Sequence, residues 1–321
     1  MNTTRTAPMD TLMRSDLHLP GVVDIYRGKV RDVYTLEDGR MVMVASDRIS
    51  AFDVVLPRGI PRKGEVLTRI SWHMLAATRA VAPNWALAMP DPQVVAGWQC
   101  APVKVEMVVR GYLSGHAWRQ YREGHRTLCG ASMPDGLRES DPFPQPIITP
   151  STKADAGHDE DITPEEILAR GLCTKEEWDI MCRYALALYA RGQEIARSHD
   201  LILVDTKYEF GRRNGQILLI DEIHTPDSSR YFHRTGYEER QRTGEAQKQL
   251  SKEFVRQWLI EHGFMGKEEQ HVPDMNDEFV RTVSQRYMEL CALLTGNAMP
   301  TLDPGDINAR IQRAVERYLK G

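Results

Sequence analysis

Residues Leu201–Arg230 read LILVDTKYEFGRRNGQILLIDEIHTPDSSR. Two apolar runs, Leu201–Val204 and Ile217–Ile220, flank a turn containing Asn214-Gly215, the pattern of a β-hairpin. Strand side chains alternate between faces, so Asp205, Lys207 and Glu209 share one face of the first strand. The second strand ends on Asp221-Glu222. Two registers are open. A strict two-residue Asn-Gly turn pairs Tyr208 with Asp221 and sends Glu209 to the other face. A three-residue Arg213–Gly215 turn with a bulge sets Lys207 opposite Asp221, with Glu209 diagonal to it. The second register is the favoured expectation. It gathers two carboxylates and an ammonium at one spot, as a Mg²⁺–phosphate site requires. Charges on a hairpin face are more commonly just solvated. Here, however, Thr225-Pro226-Asp227-Ser228-Ser229-Arg230 follows directly, a polar turn with hydroxyls and an Arg suited to phosphate.

The whole chain has 321 residues, 41% hydrophobic and 27% charged, which suits a globular protein with a sizeable core, built as one large or two intimate domains. The formal net charge of −4 carries no global basic signature, so nucleic acid is not an expected partner and local Lys and Arg must do any phosphate binding. Cys100, Cys129, Cys173, Cys182 and Cys291 are dispersed without a C-x-x-C pair. That argues for reduced thiols in a cytoplasmic setting rather than a disulfide frame or a zinc site. The N-terminal MNTTRTAPMDTLMRSD has no apolar core of a secretory signal, and no apolar stretch approaches the ~20 residues of a membrane span.

Outward from the hairpin, Val22–Tyr26, Val30–Thr35 and Met41–Ser46 read as an antiparallel meander, after a loose lead-in over residues 1–20 with a short helical turn at Met9–Leu17. Val66–Ala80 has helical periodicity, and Val103–Val109 is the next strong strand, followed by a short helix at His116–Glu123. Gly130–Pro150, rich in Pro and Gly, reads as a long surface connection with Ile147-Ile148 docked. Thr163 with Pro164 opens a helix that Gly171 closes. Thr174 and Glu177 form a capping box for the longest helix, to about Ser198, with Trp178, Met181, Ala185, Leu188 and Ile195 on its apolar stripe. After Phe232 the chain is mainly helical, at about Lys248–His262, Asp277–Leu294 and Asp306–Leu319.

LILVDTKYEFG followed by IDEIHTPDSSR resembles the signature of the SAICAR synthetase (phosphoribosylaminoimidazole-succinocarboxamide synthase) family. Four further stretches fit that family in order: Tyr26–Tyr34 (YRGKVRDVY), Ser46–Asp53 (SDRISAFD), Val105–Trp118 (VEMVVRGYLSGHAW) and Ser151–Thr163 (STKADAGHDEDIT). The resemblance implies an α/β (α+β) enzyme of two lobes, a mainly β lobe over 1–104 and a larger α/β lobe over 105–321 with the C-terminal helices, and ATP in the cleft between them. It implies ATP-dependent joining of 5-amino-1-(5-phosphoribosyl)imidazole-4-carboxylate (CAIR) to L-aspartate, with ATP and Mg²⁺ as cofactors and small molecules as partners, in a cytoplasmic monomer or small homo-oligomer.

The resemblance also distributes roles. Gly28, Lys29 and Arg31 are expected to clamp ATP phosphates, since Gly lets the backbone approach and the two cations project from a strand. The main chain at Glu106 and Met107, on the strand connecting the lobes, is expected to meet the adenine edge. Arg110, Ser114, Lys153, Asp159, Ser229 and Arg230 are expected to hold the imidazole nucleotide, an Arg fork suiting phosphate or carboxylate. Glu209 and Asp221 are the expected Mg²⁺ ligands, and Lys207 and Asp205 the catalytic pair. His158 and its flanking acids suggest a metal loop, though without EF-hand spacing. The bland alternative for Arg48 is an ion pair with Asp53. A small-molecule kinase and a non-catalytic nucleotide-binding regulator remain the rival functional readings.

Overall fold

The structure, a computed structural model, describes residues 10–153, 159–300 and 305–321. Strands β1 (Val22–Arg27), β2 (Arg31–Leu36) and β3 (Arg40–Ala45) form the expected meander. Alternation along β2 turns Asp32, Tyr34 and Leu36 inward. A small hairpin, β4 (Ser50–Ala51) with β5 (Val54–Val55), precedes helix α1 (Lys63–Ala77). Strands β6 (Ala86–Asp91) and β7 (Val94–Trp98) complete a five-stranded sheet ordered β1-β2-β3-β7-β6. Helix α1 starts at Lys63 rather than at Val66. The carboxylate of Asp47 accepts the Gly64 N–H at 2.9 Å and so serves a helix terminus from a distant loop. A remote cap of this kind leaves no mark in the local pattern.

The chain crosses to a second sheet between Trp98 and Ala101, a few residues before the expected division. Strand β8 (Ala101–Tyr112) leads to α2 (Gly115–Arg122), a small hairpin of β9 (Thr127–Leu128) and β10 (Ala131–Ser132), then β11 (Pro142–Ile148) and β12 (Ser151–Thr152). Helix α3 (Pro164–Ala169), expected to open on Thr163 with Pro164 at its first position, carries a capping box through Glu166, and α4 (Lys175–Ser198) carries the one read from sequence. The central hairpin is β13 (Leu201–Arg213) with β14 (Gln216–Ile220), followed by β15 (Ser229–His233), α5 (Tyr237–Thr243), β16 (Gln249–Leu250), α6 (Glu253–Glu261), α7 (Asp277–Thr295) and α8 (Ile307–Lys320). The sheet is ordered β11-β8-β13-β15-β16, with β12 also on β8 and β14 also on β13. Pairing within both sheets is antiparallel throughout, so the architecture is α+β and two-lobed. The buried faces of β8, β13 and α4 share one core, including Met107, Val109, Leu203, Tyr208, Met181 and Leu188.

Four expectations need correction. The hairpin takes the two-residue turn. Arg213 pairs with Gln216 and Glu209 with Ile220, while Asn214 (φ 50) and Gly215 (φ 74) both adopt the positive φ of a type I′ turn. That turn matches the right-handed twist of the strands, so no bulge is needed, and Lys207 does not stand opposite Asp221. The Pro-rich connection contains strand β11. Pro142, Pro144 and Pro146 fall at alternate positions of a sheet edge, where a missing N–H costs no ladder bond. Residues 10–20 are not a loose lead-in, and 10–17 form no helix. Leu12, Leu17 and Leu19 are buried against Tyr34, Val42 and Val44 together with Ile311 and Val315 of α8. Helix α8 therefore packs on the first sheet, not with the larger lobe, and Arg310 secures it to Asp91 at 2.9 Å. His158 lies outside the described residues.

Candidate active site

Strand β13 carries the centre. Lys207 is flanked by Glu106, with Nζ 2.8 Å from Oε1, and by Glu209, whose other oxygen receives Lys153. Burial alone would lower the Lys207 pKa, but Glu209 and Glu106 outweigh it and hold the ammonium well above its ordinary range. Burial works against the Glu209 charge too, yet Lys207 and Lys153 bring its pKa down to about 2. Glu106, with one lysine contact and Glu209 and Asp159 nearby, is raised, chiefly by burial. The two carboxylates beside Lys207 are thus shifted in opposite directions, Glu209 down and Glu106 up.

One step along the same face of β13, Asp205 accepts Arg230 at 2.6 Å and lies 3.5 Å from Arg110. Arg110 Nε also donates to Thr149 Oγ1 at 2.8 Å, and Arg230 reaches Glu253 at 2.8 Å. Gly115 makes room for this cluster: a Cβ there would come within 2.5 Å of the Arg230 guanidinium. Ser229 Oγ donates to Thr206 Oγ1 at 2.8 Å. Ser114 lines a cavity of about 420 Å³ with Trp118, Arg138, Phe232, Gln249 and Gln241 of α5.

The phosphate-clamp residues reach different partners. Gly28 N–H donates to the Arg31 carbonyl at 2.7 Å, making a tight turn. Lys29 pairs with Asp53, and Arg48 with Asp32 at 2.8 Å rather than with Asp53. Arg31 reaches into the other sheet, 3.1 Å from Asp221 and in contact with Glu222. Met107 is fully buried, and β8 is flanked by β13 and β12 at Glu106, so its main chain lies inside the sheet instead of presenting a free edge. Asp221 leaves β14 with φ 61, out of strand alternation, and lies in the field of Lys207. Among the described residues no group of three or more His, Cys, Asp or Glu converges on a metal-sized point.

Several site residues escaped the sequence reading. Lys63, Asp227 and Tyr287 form a buried network, with Lys63 Nζ 2.7 Å and Tyr287 Oη 2.6 Å from the two Asp227 oxygens. It ties α1 and α7 to the loop ahead of Ser229. His224 is buried against Gly192 with Nε2 2.6 Å from Tyr208 Oη, and burial lowers its pKa to about 3, so it is neutral. The side chains of Glu106, Glu222 and Glu253 had no local signal, since each acquires its partner across the fold.

This is the build of a two-lobed α+β protein with a lysine–carboxylate cluster and a guanidinium cluster side by side on one strand. The family profile described as SAICAR synthetase matches residues 24–273. The phosphoribosylaminoimidazole-succinocarboxamide synthase of Bacteroides fragilis is 56% identical over 312 residues, covering 97% of this chain and 99% of its own. That of Legionella pneumophila is 44% identical, covering 92% of this chain and 95% of its own. The SAICAR synthase of Saccharomyces cerevisiae, solved with SAICAR, superposes with a TM-score of 0.76 at 30% identity, over 89% of this chain and 99% of that one. A type-2 SAICAR synthetase solved with ADP shares the fold, with a TM-score of 0.67 at 20% identity, over 87% of this chain and 100% of that one. The chain belongs to the SAICAR synthetase family.

Proposed function

We propose that this chain joins CAIR to L-aspartate at the expense of ATP, giving SAICAR, ADP and phosphate in purine biosynthesis, by way of an acyl phosphate. The observation that carries the reading is the spacing along β13. A lysine–carboxylate cluster at Lys207 and a guanidinium cluster at Asp205 share one face, about 7 Å apart, the two-residue repeat of a strand. One cluster suits a phosphoryl group in transit and the other a bound anion, and the transfer joins the two.

A carboxylate is a poor acyl donor because oxide does not leave. Phosphorylation of the CAIR carboxylate creates a leaving group, and the aspartate amine then displaces phosphate. The protein's contribution is positioning and charge neutralisation. Lys207 supports the phosphoryl group, and Arg110 and Arg230 hold the nucleotide's anionic groups with Asp205 fixing both forks. Lys29 stays near the ATP phosphates, and Lys153 exchanges Glu209 for substrate. Mg²⁺ would be held at Glu209 and Asp221 once substrate phosphates draw off their present lysine and arginine partners. It commonly binds through one or two carboxylates plus substrate phosphates, so Glu209 and Asp221 suffice without an all-protein cage. When bound, it neutralises phosphate charge. Five free cysteines support a cytoplasmic setting.

Assays omitting ATP, CAIR or L-aspartate in turn test the reading, and product should need all three. CAIR labelled with ¹⁸O in its carboxylate should deliver one labelled oxygen to each phosphate released, after recovered CAIR is checked for exchange. Unlabelled phosphate beside stoichiometric amide rules out the acyl phosphate.

A further inference from the structure

The small β4–β5 hairpin closes on two residues, Phe52 (φ 52) and Asp53 (φ 62), with Ala51 paired to Val54. Both residues sit in the left-handed region, as a type I′ turn requires. That geometry favours Asn and Gly and disfavours a bulky side chain. The β13–β14 hairpin makes the same turn with Asn214-Gly215. Among the described residues, Phe52-Asp53 is the one place where two consecutive non-glycine residues both take positive φ. Strain of this kind persists only where the surrounding contacts hold it.

Those contacts run from the tip of the turn in two directions. Asp53 receives Lys29 from the Gly28 turn. Arg48 fastens that turn to the loop ahead of β4, donating from Nη2 to the Gly28 carbonyl at 3.0 Å and from Nε to the Lys29 carbonyl at 3.2 Å. Phe52 meets the other lobe. Arg256 of α6 lies over its ring, with Cζ 5.1 Å from the centroid, and Phe264 meets it edge-on at 6.3 Å. The chain at Gly266 closes against the same turn, where a Cβ would come 2.7 Å from the Phe52 Cβ and 2.8 Å from its carbonyl oxygen. Arg256 in turn lines a cavity of about 110 Å³ with Asp205, Ser229, Arg230, Lys252 and Glu253. Its ion pair with Glu253 is long, at 3.9 Å, and that carboxylate is already taken by Arg230 at 2.8 Å. A guanidinium held over an aromatic face keeps its N–H donors for another partner.

We propose that Phe52 is a positioning residue for the anionic nucleotide, its ring holding the Arg256 guanidinium at the Arg230 cavity, a role that rests on the ligation reading above. The ring comes from the lobe that carries the Gly28–Arg31 turn, and the arginine from the lobe that carries the guanidinium cluster. The strained turn bridges them. Asp53 anchors one side of it to Lys29, and Phe52 reaches across on the other. Relaxing the turn to the backbone conformation a phenylalanine prefers would withdraw the ring from Arg256.

Calorimetry with CAIR and with ADP, on the full chain, tests the role. Phe52→Leu keeps apolar bulk against Phe264 and removes the aromatic face. It should weaken CAIR binding about fivefold to tenfold and leave ADP binding within about twofold. Phe52→Tyr, which restores the face, should bind CAIR as the wild type does. Arg256→Gln should show a loss of its own. Adding Phe52→Leu to it should then change the Kd by less than about twofold, because the ring has no guanidinium left to place. A Phe52→Leu protein that binds CAIR normally overturns the proposal. So does an equal loss for CAIR and ADP, the mark of a folding or lobe-packing role, and so do losses at Phe52 and Arg256 that multiply in full. A wild-type chain that binds ADP but no CAIR overturns the ligation reading and the positioning role with it, so the two failures are told apart.

Discussion

Arg31, on the first sheet, places its guanidinium 3.1 Å from the carboxylate of Asp221 on the second. With Glu222 as its other partner, Arg31 ties the two sheets together at the candidate centre. Burial opposes the Arg31 charge, but Asp221 and Glu222 more than restore it. Glu222 is pushed up by burial, with Arg31 as the main opposing influence. Removing the cation leaves two adjacent carboxylates, one of them buried. Arg31→Met should cost about 3–5 kcal/mol in denaturant unfolding at neutral pH, the usual result of breaking a buried pair from one side. A loss below about 1 kcal/mol would show that solvent already screens the pair.

Glu209→Gln should keep the hairpin and lose orders of magnitude in turnover, since a neutral amide is a poor ligand for a hard cation and a poor partner for two lysines. Near-normal activity at saturating Mg²⁺ would remove Glu209 from the metal assignment. The acid side gives an independent readout. Glu209 has a folded pKa of about 2 against an ordinary 4.5. A depressed carboxylate stabilises the fold above its ordinary pKa and loses that contribution as pH falls through the folded value. The stability gap between wild type and Glu209→Gln should therefore be full near neutrality and shrink from about pH 4.5 down to about 2.

Arg110 and Arg230 share Asp205, so they should behave as a unit. Arg230→Ala should weaken CAIR binding by about 1.5–3 kcal/mol, the range for hydrogen bonds to charged groups, while the KM for ATP changes far less. The double variant with Arg110→Ala should fall short of the sum of the single losses. Comparable losses for both substrates would mean that the arginines hold the fold and not the nucleotide.

Tyr287 stands on α7, far in sequence from the loop it supports. Tyr287→Phe deletes the 2.6 Å bond to Asp227 and leaves Lys63 in place. The expected cost is about 1–3 kcal/mol of stability, with a raised KM for CAIR through the Pro226–Arg230 loop. Lys63→Met should cost more, because it leaves the buried Asp227 charge without its closest cation. Unfolding midpoints and substrate KM values, measured on both variants, decide the order.

Local physics made much of the protein legible. The caps at Thr163 and Thr174, the alternation along β2 and the Asn214-Gly215 turn signal need only near neighbours, so the sequence alone shows α3, α4, the meander and the presence of the hairpin, though not its register. The residue types at Lys207, Glu209, Arg110 and Arg230 were equally visible, since an acid and base pattern on a strand is a local fact. Which of them meet is not. Register depended on one residue of turn length, and that choice moved Asp221 away from Lys207 and handed it to Arg31 from the other sheet. Asp47 capping α1, Lys63 with Asp227 and Tyr287, α8 on the first sheet, and Asp161 with His116 all join residues far apart in the chain. Such contacts arise when packing brings separate elements together and buried charges must find partners. Tertiary structure alone decided them, because the energy that selects each partner exists only once both groups have left water.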